Sequence, residues 1–519
     1  MKKFTSLVLL ALGCFSTASA QWNTGNSPKL FFNAANQGDY YGCSPKAVRT
    51  SDGKTWISYK IWDSRQVNDS VWDFRGVHTY LQLLNANGVK QFADPGILVN
   101  DYRTPSWWSD YGLAVDADGN AIVTVADGRG ANIAEDSVID SYSDVQTFQP
   151  AIYKFNQDGD PLWGLDGITF SDLQNEPFTD VTMVGDDAYF VMNGDGGYVM
   201  RINADGTCAW DAPKSFYGQI CPSTGTDFIN FGDTGDGPTA TRYTRDLEPV
   251  WTVTYDTLSV SSHDLHPYKI APDGEGGAAV AFTCNMGQFA HNIRVQHISG
   301  DGETTFGMAG VYAYESLDYD HDYPDIAVNT KKQQICVNWE DNIDDLMTQS
   351  AKAYNYYGDV VFGGSLGTHV AEKTSTGGYA YSTIGSGALP NGDWIIVYGN
   401  WEGWTDRSII VRRINGETGE RVWSRTFGRS IQMDDENVIV EPDFTYVIYR
   451  NGVDGKQGIY GFRVSNADGA YTDIQSVSSK TTQAHPVAYY GVDGKQLSTP
   501  SAGLNIVKYS DGTVKKVMK

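Results

Sequence analysis

Short apolar runs that alternate with polar positions recur along most of the chain, each bounded by Gly, Asn or Asp. One recurring half-motif is a turn followed by an apolar run, as in SDGKTWISYKIWD (51–63), DADGNAIVTVAD (116–127), PDGEGGAAVAFT (272–283) and PNGDWIIVYGNWE (390–402). The other is an apolar run, a tight Asx-Gly type turn and an aromatic-bearing run. It appears as AIYKFNQDGDPLWG (151–164), YVMRINADGTCAW (198–210), IRVQHISGDGETTF (293–306) and IIVRRINGETGERVW (409–423). A period of two residues with Val, Ile, Tyr and Trp at the inward positions predicts half-buried β-strands. The Gly-bearing turns supply the positive φ that two-residue hairpins need. No long stretch shows helical periodicity.

The two half-motifs alternate eight times. The second turn falls at Gly88, Gly159, Gly206, Leu247, Gly302, Gly358, Gly419 and Gly469, a period of about 54 residues. Four short antiparallel strands per unit, repeated in this way, predict an all-β chain folded as a β-propeller. Eight four-stranded blades is the expected number, with seven as the alternative. With strands lettered A to D within a unit, the A–B and C–D connections are the tight turns and share one face; the D–A and B–C connections share the other. The D strand after Gly469 is poor, and residues 28–36 (PKLFFNAAN) read as a displaced D strand that closes the ring. Without it the ring would leave an exposed edge strand.

Residues 1–20 (MKKFTSLVLLALGCFSTASA) combine a basic start, an apolar stretch and a small-residue end, which predicts a signal peptide cleaved before Gln21. Residues 21–472 are then the propeller, 473–483 a polar linker, and 484–519 a short β-rich tail. No later run is apolar over the ~18 residues of a membrane span. The sequence carries 63 Asp+Glu against 38 Lys+Arg, a net charge of −25, with no basic stripe to offset phosphate charge. That balance excludes nucleic acid as a partner. Five cysteines follow the leader, without a CxxC pair. Cys208 and Cys221 are close enough in sequence to bridge neighbouring strands in an oxidising compartment, whereas Cys284 and Cys336 read as small buried side chains.

PDIAVNTKKQQICVNWED and AIYKFNQDGDPLWGLDGITF resemble the repeats of secreted bacterial β-propellers, a likeness that implies architecture and no reaction. The tail is sharper. VDGKQL (492–497), AGLNIVKYSDG (502–512) and the final KKVMK resemble the C-terminal sorting domain of type IX secretion substrates. That resemblance implies the type IX export machinery as a partner, a secreted or outer-surface location, and tail removal or anchoring.

The D–A/B–C face gathers aromatic, acidic and guanidinium side chains. Trp107, Trp108, Tyr323, Trp401 and Trp404 are candidates to stack on a ligand, with Asp264, Asp322 and Arg407 to orient it. Planar rings beside hydrogen-bonding groups suit a neutral glycan, and also an extracellular protein interface; indoles that only pack between blades are the competing reading. A carbohydrate-active hydrolase or lyase would need acids at the same mouth, with Glu176 and Glu340 as candidates. His263 and His266 could converge with Asp320, His321 and Asp322 as a metal site. Loop polarity with a hydrogen-bonded His is the preferred reading of these residues, and neither a metal nor a cofactor is assigned. The expected function is an exported binding or scaffold protein, with the enzyme as alternative.

Overall fold

The computed structural model describes residues 22–23, 27–33, 44–68, 71–102, 110–129, 148–173, 175–194, 196–233, 237–255, 268–286, 291–314, 320–343, 346–371, 381–403, 406–430, 436–451, 458–471, 486–491, 495–509 and 514–518. The described residues fall into two compact units, one within 21–472 and the other within 473–519. In the second unit the described residues build one small antiparallel sheet that includes Pro486–Tyr490, Leu504–Tyr509 and Val514–Met518.

In the first unit the described residues form eight antiparallel sheets, and the protein is an all-β propeller. From the first sheet to the eighth, the innermost strands are Lys46–Arg49, Leu113–Val115, Phe178–Val184, Gln219–Pro222, Tyr268–Pro272, Asp320–Asn329, Tyr381–Ala388 and Glu436–Val440. Each lies beside the innermost strand of the next sheet, and the last returns to the first. Four of the outermost strands have only two residues, which leaves little unpaired edge there, whereas that of the seventh sheet, Arg421–Ser430, has ten. The eighth sheet takes its outer strand from the start of the chain: Lys29–Asn33 pairs antiparallel with Gly458–Ser465, with Leu30 opposite Tyr460. The displaced strand read at 28–36 therefore closes the ring.

The core is eight apolar layers, each shared by two successive sheets. The fifth sheet shows why a period of two suffices. Along Ala278–Asn285, residues Ala278, Val280, Phe282 and Cys284 pack toward the fourth sheet, while Ala279 and Ala281 pack toward the sixth. Successive strand side chains point to opposite faces, so one strand serves two layers. Indoles add polar ties between sheets. The Nε1–H of Trp22, Trp251 and Trp423 donates to the carbonyls of Ala86, Gly300 and Asn466, each at 3.0 Å and each in the C–D turn of the following sheet.

Two expectations change. Cys208 is exposed near an outer edge of the third sheet, Cys221 is buried on the innermost strand of the fourth, and both are free thiols. Nearness in sequence does not bring them together because the chain crosses from the outer rim to the centre between them. The second and third strands of the first sheet, expected to be short, form a hairpin of two 14-residue strands, Thr55–Asn68 and Val71–Leu84. No Gly or Pro interrupts residues 54–75, so pairing runs on past the usual strand length.

Candidate functional site

The described residues converge most at the D–A/B–C end of the fifth and sixth sheets. The strands Asp320–Asn329 and Gln334–Ile343 pair with Asp320 opposite Asn342, His321 opposite Asp341 and Asp322 opposite Glu340. Alternation puts Asp320 and Asp322 on one face and His321 on the other. The register then shifts before Asp325, and Tyr323, within the irregularity, takes a left-handed φ of 54°. A bulky residue in that region is a genuine backbone outlier, and a bulge re-aims the side chains around it.

His291 begins the third strand of the fifth sheet and meets the two acids. Its backbone N–H donates to Asp320 Oδ1 at 3.0 Å. Its Nδ1 lies 2.9 Å from Asp320 Oδ1 and 3.3 Å from Asp322 Oδ1. The imidazole is 9% exposed, the carboxylates 32% and 19%. These three residues could hold a metal ion, since one ligand atom from each lies within 4.8 Å of the others.

On the opposite face, His321 and Asp341 are fully buried, with Nδ1 2.6 Å from Asp341 Oδ1. Asp341 also accepts from the Trp339 indole and from the Ser350 hydroxyl, whose oxygen lies 3.0 Å from His369 Nδ1. The Tyr314 ring covers His321 with centroids 4.0 Å apart. Three donors on one buried carboxylate hold the sheet's loop end rigid, because each bond is strong in a low-dielectric setting.

Charged groups also cluster on and beside the innermost strands. Lys46 pairs with Asp110 at 3.2 Å. Burial pushes the Lys60 ammonium down to about 8, with Asp110 opposing that shift and Lys46 adding to it. Asp180 is reached by solvent yet so enclosed that desolvation raises its carboxyl above the usual range. Desolvation raises Asp325 likewise, although Lys269 opposes it and Ser386 Oγ donates to its Oδ2 at 2.5 Å.

Of the residues singled out in the sequence, Asp322, Tyr323 and Glu340 come together here, with Glu340 inside a strand and buried rather than on a loop. Glu176 is also buried, at the entry to the third sheet, far around the ring order from Glu340. Trp401 and Arg407 are backbone partners across the hairpin of the seventh sheet. Trp107, Trp108, Asp264, Trp404, His263 and His266 lie outside the described residues. On the B–C connection of the second sheet, Arg129 makes a two-pronged pair with Asp127, at 2.9 and 2.8 Å, and lies over the Tyr102 ring. His291 was missed by sequence reasoning. Its position as first residue of a strand after a B–C connection, and the D-x-D spacing at the start of the next sheet, were the available signals.

No family model and no curated protein matches the chain. Among solved structures it is similar to an ulvan lyase of polysaccharide lyase family PL25, with a TM-score of 0.38 and 9% identity over 88% of this chain and 98% of that one. It is also similar to prolyl oligopeptidase B from Galerina marginata, with a TM-score of 0.39 and 8% identity over 78% of this chain. The chain spans 55% of the length of that peptidase. A Hadza microbial sialidase gives a TM-score of 0.35 and 14% identity, over 60% of this chain and 66% of the other. Likenesses this distant carry no activity across. No helix among the described residues is long and apolar enough to cross a membrane.

Proposed function

We propose that the protein is an exported β-propeller that binds a neutral glycan at the D–A/B–C end of its sheets. The observation that carries this reading is the meeting of Asp322, Tyr323, Glu340 and His291 at that end, from strands of two neighbouring sheets. It sets several hydrogen-bonding groups beside an aromatic residue, the combination that sugar hydroxyls and C–H faces require. The leader-like residues 1–20 and the tail 484–519 support export through a type IX route, to the outer surface or the medium.

The test is a glycan-array screen of the full chain, with release of reducing ends measured on every glycan retained. Binding without product release is expected, and Trp107→Ala with Trp108→Ala should weaken it at least tenfold in a folded protein. Absence of any glycan binding would overturn the reading. A second reading is a hydrolase or lyase, favoured by Asp322 and Glu340 standing opposite each other on one sheet face. It predicts product release that Glu340→Gln abolishes.

A further inference from the structure

We propose that His291, Asp320 and Asp322 form a site for a divalent transition cation of the zinc type, joining the fifth and sixth sheets. The site shares His291 and Asp322 with the glycan reading but does not rest on it, and its test reads metal binding rather than glycan binding. The donors come from two sheets and are placed by backbone, not by mobile surface chains. His291 opens its strand, and its own N–H holds the Asp320 carboxylate at 3.0 Å. Asp320 and Asp322 share a face because they are two residues apart on a strand, and the irregular backbone at Tyr323 follows at once.

The two separations between the imidazole nitrogen and the carboxylate oxygens match a coordination sphere. A cation holding N and O donors at about 2.1 Å sets neighbouring donors about 3.0 Å apart in an octahedron and about 3.4 Å apart in a tetrahedron. Nδ1 of His291 stands 2.9 and 3.3 Å from the two carboxylate oxygens. A protonated imidazole explains this arrangement less well. Nδ1 carries one proton, directed in the ring plane, and can donate well to only one of the two oxygens. A cation at their centre engages both, and it offsets two negative charges held together in a partly buried place. One imidazole nitrogen with two carboxylates suits a zinc-like ion, whereas calcium sites are built from six to eight oxygens.

The full chain, stripped with chelator and dialysed, would be titrated with zinc chloride by calorimetry and with cobalt(II) by visible absorption. One equivalent should bind, raise the thermal midpoint and give cobalt ligand-field bands. His291→Ala and Asp322→Asn should each weaken binding at least tenfold and remove the thermal shift. Asp322→Asn keeps the side-chain shape, so it decides the matter if His291→Ala fails to fold. No zinc binding by the folded chain, undiminished binding by both variants, or binding of calcium but not zinc would each overturn the proposal.

Discussion

At the residue scale, the turn glycines are defined by what lies against them. Gly206 and Gly302 both adopt φ of 88°, and a Cβ on either would come within 2.5 Å of Trp163 or 2.8 Å of Trp251, on the preceding sheet. Gly302→Ala should therefore cost about 2–4 kcal/mol, combining left-handed strain with overpacking, read as a lower denaturant midpoint. The corresponding position in the fourth sheet is Leu247, which accepts φ of 66° and packs with Trp210 and Tyr243 against the layer between the third and fourth sheets. Leu247→Ala should be less stable than Leu247→Gly, because alanine keeps the strain of about 1–2 kcal/mol while losing the apolar contacts. Lys60 gives the clearest pH dependence. Its folded value of about 8 lies below the 10.5 of an ordinary lysine, so the unfolded chain binds more protons between them. Stability should rise with pH across roughly 8 to 10.5, and below 8 the full cost of the buried charge remains. Lys60→Met should flatten that rise and stabilise the chain at neutral pH by on the order of 2–3 kcal/mol, measured by denaturation at several pH values.

At the element scale, the strand Lys29–Asn33 covers the otherwise open edge of Gly458–Ser465, and Phe31 and Phe32 fill the layer between the eighth and first sheets. Phe31→Ala should cost about 3–5 kcal/mol and promote association through the loosened edge. Thermal unfolding followed by light scattering would show both. Residues 324–329 were legible as a strand from their repeat position, whereas 320–323 read as a loop before it and instead begin the strand Asp320–Asn329. Its alternation then dictates that Asp320 and Asp322 share a face while His321 turns to Asp341. A metal reading built on all three consecutive residues was bound to divide in this way. Strand length was less legible, since the 14-residue hairpin of the first sheet depends on the absence of a breaker and on pairing gained along its length.

At the scale of the whole molecule, ring closure sets which groups meet solvent. Cys221 and Cys284 are buried in the layer between the fourth and fifth sheets and Cys336 in that between the sixth and seventh, and burial pushes the first two thiols up to about 12 and about 11 and raises the third as well. Cys208 is exposed, with its thiol also raised by partial burial. Alkylation of the native chain, mapped by peptide mass, should modify Cys208 and spare the other three, and the reaction should quicken as pH rises. Modification of Cys284 or Cys336 without denaturant would contradict their placement in closed layers.

Local pattern alone determined the all-β class, the alternating half-motifs, the turn positions and the closing strand, because each depends on period-two burial and on residues that tolerate a particular φ. The candidate site was only partly within reach of that pattern. Asp322, Tyr323 and Glu340 could be named from composition at strand ends, but His291 lies 29 residues before Asp320 and belongs to another sheet. Which strand of one sheet abuts which end of the next is decided by the closing of the ring, through layers shared by neighbouring sheets. Tertiary structure alone therefore brought the imidazole to the two carboxylates, and parted Cys208 from Cys221.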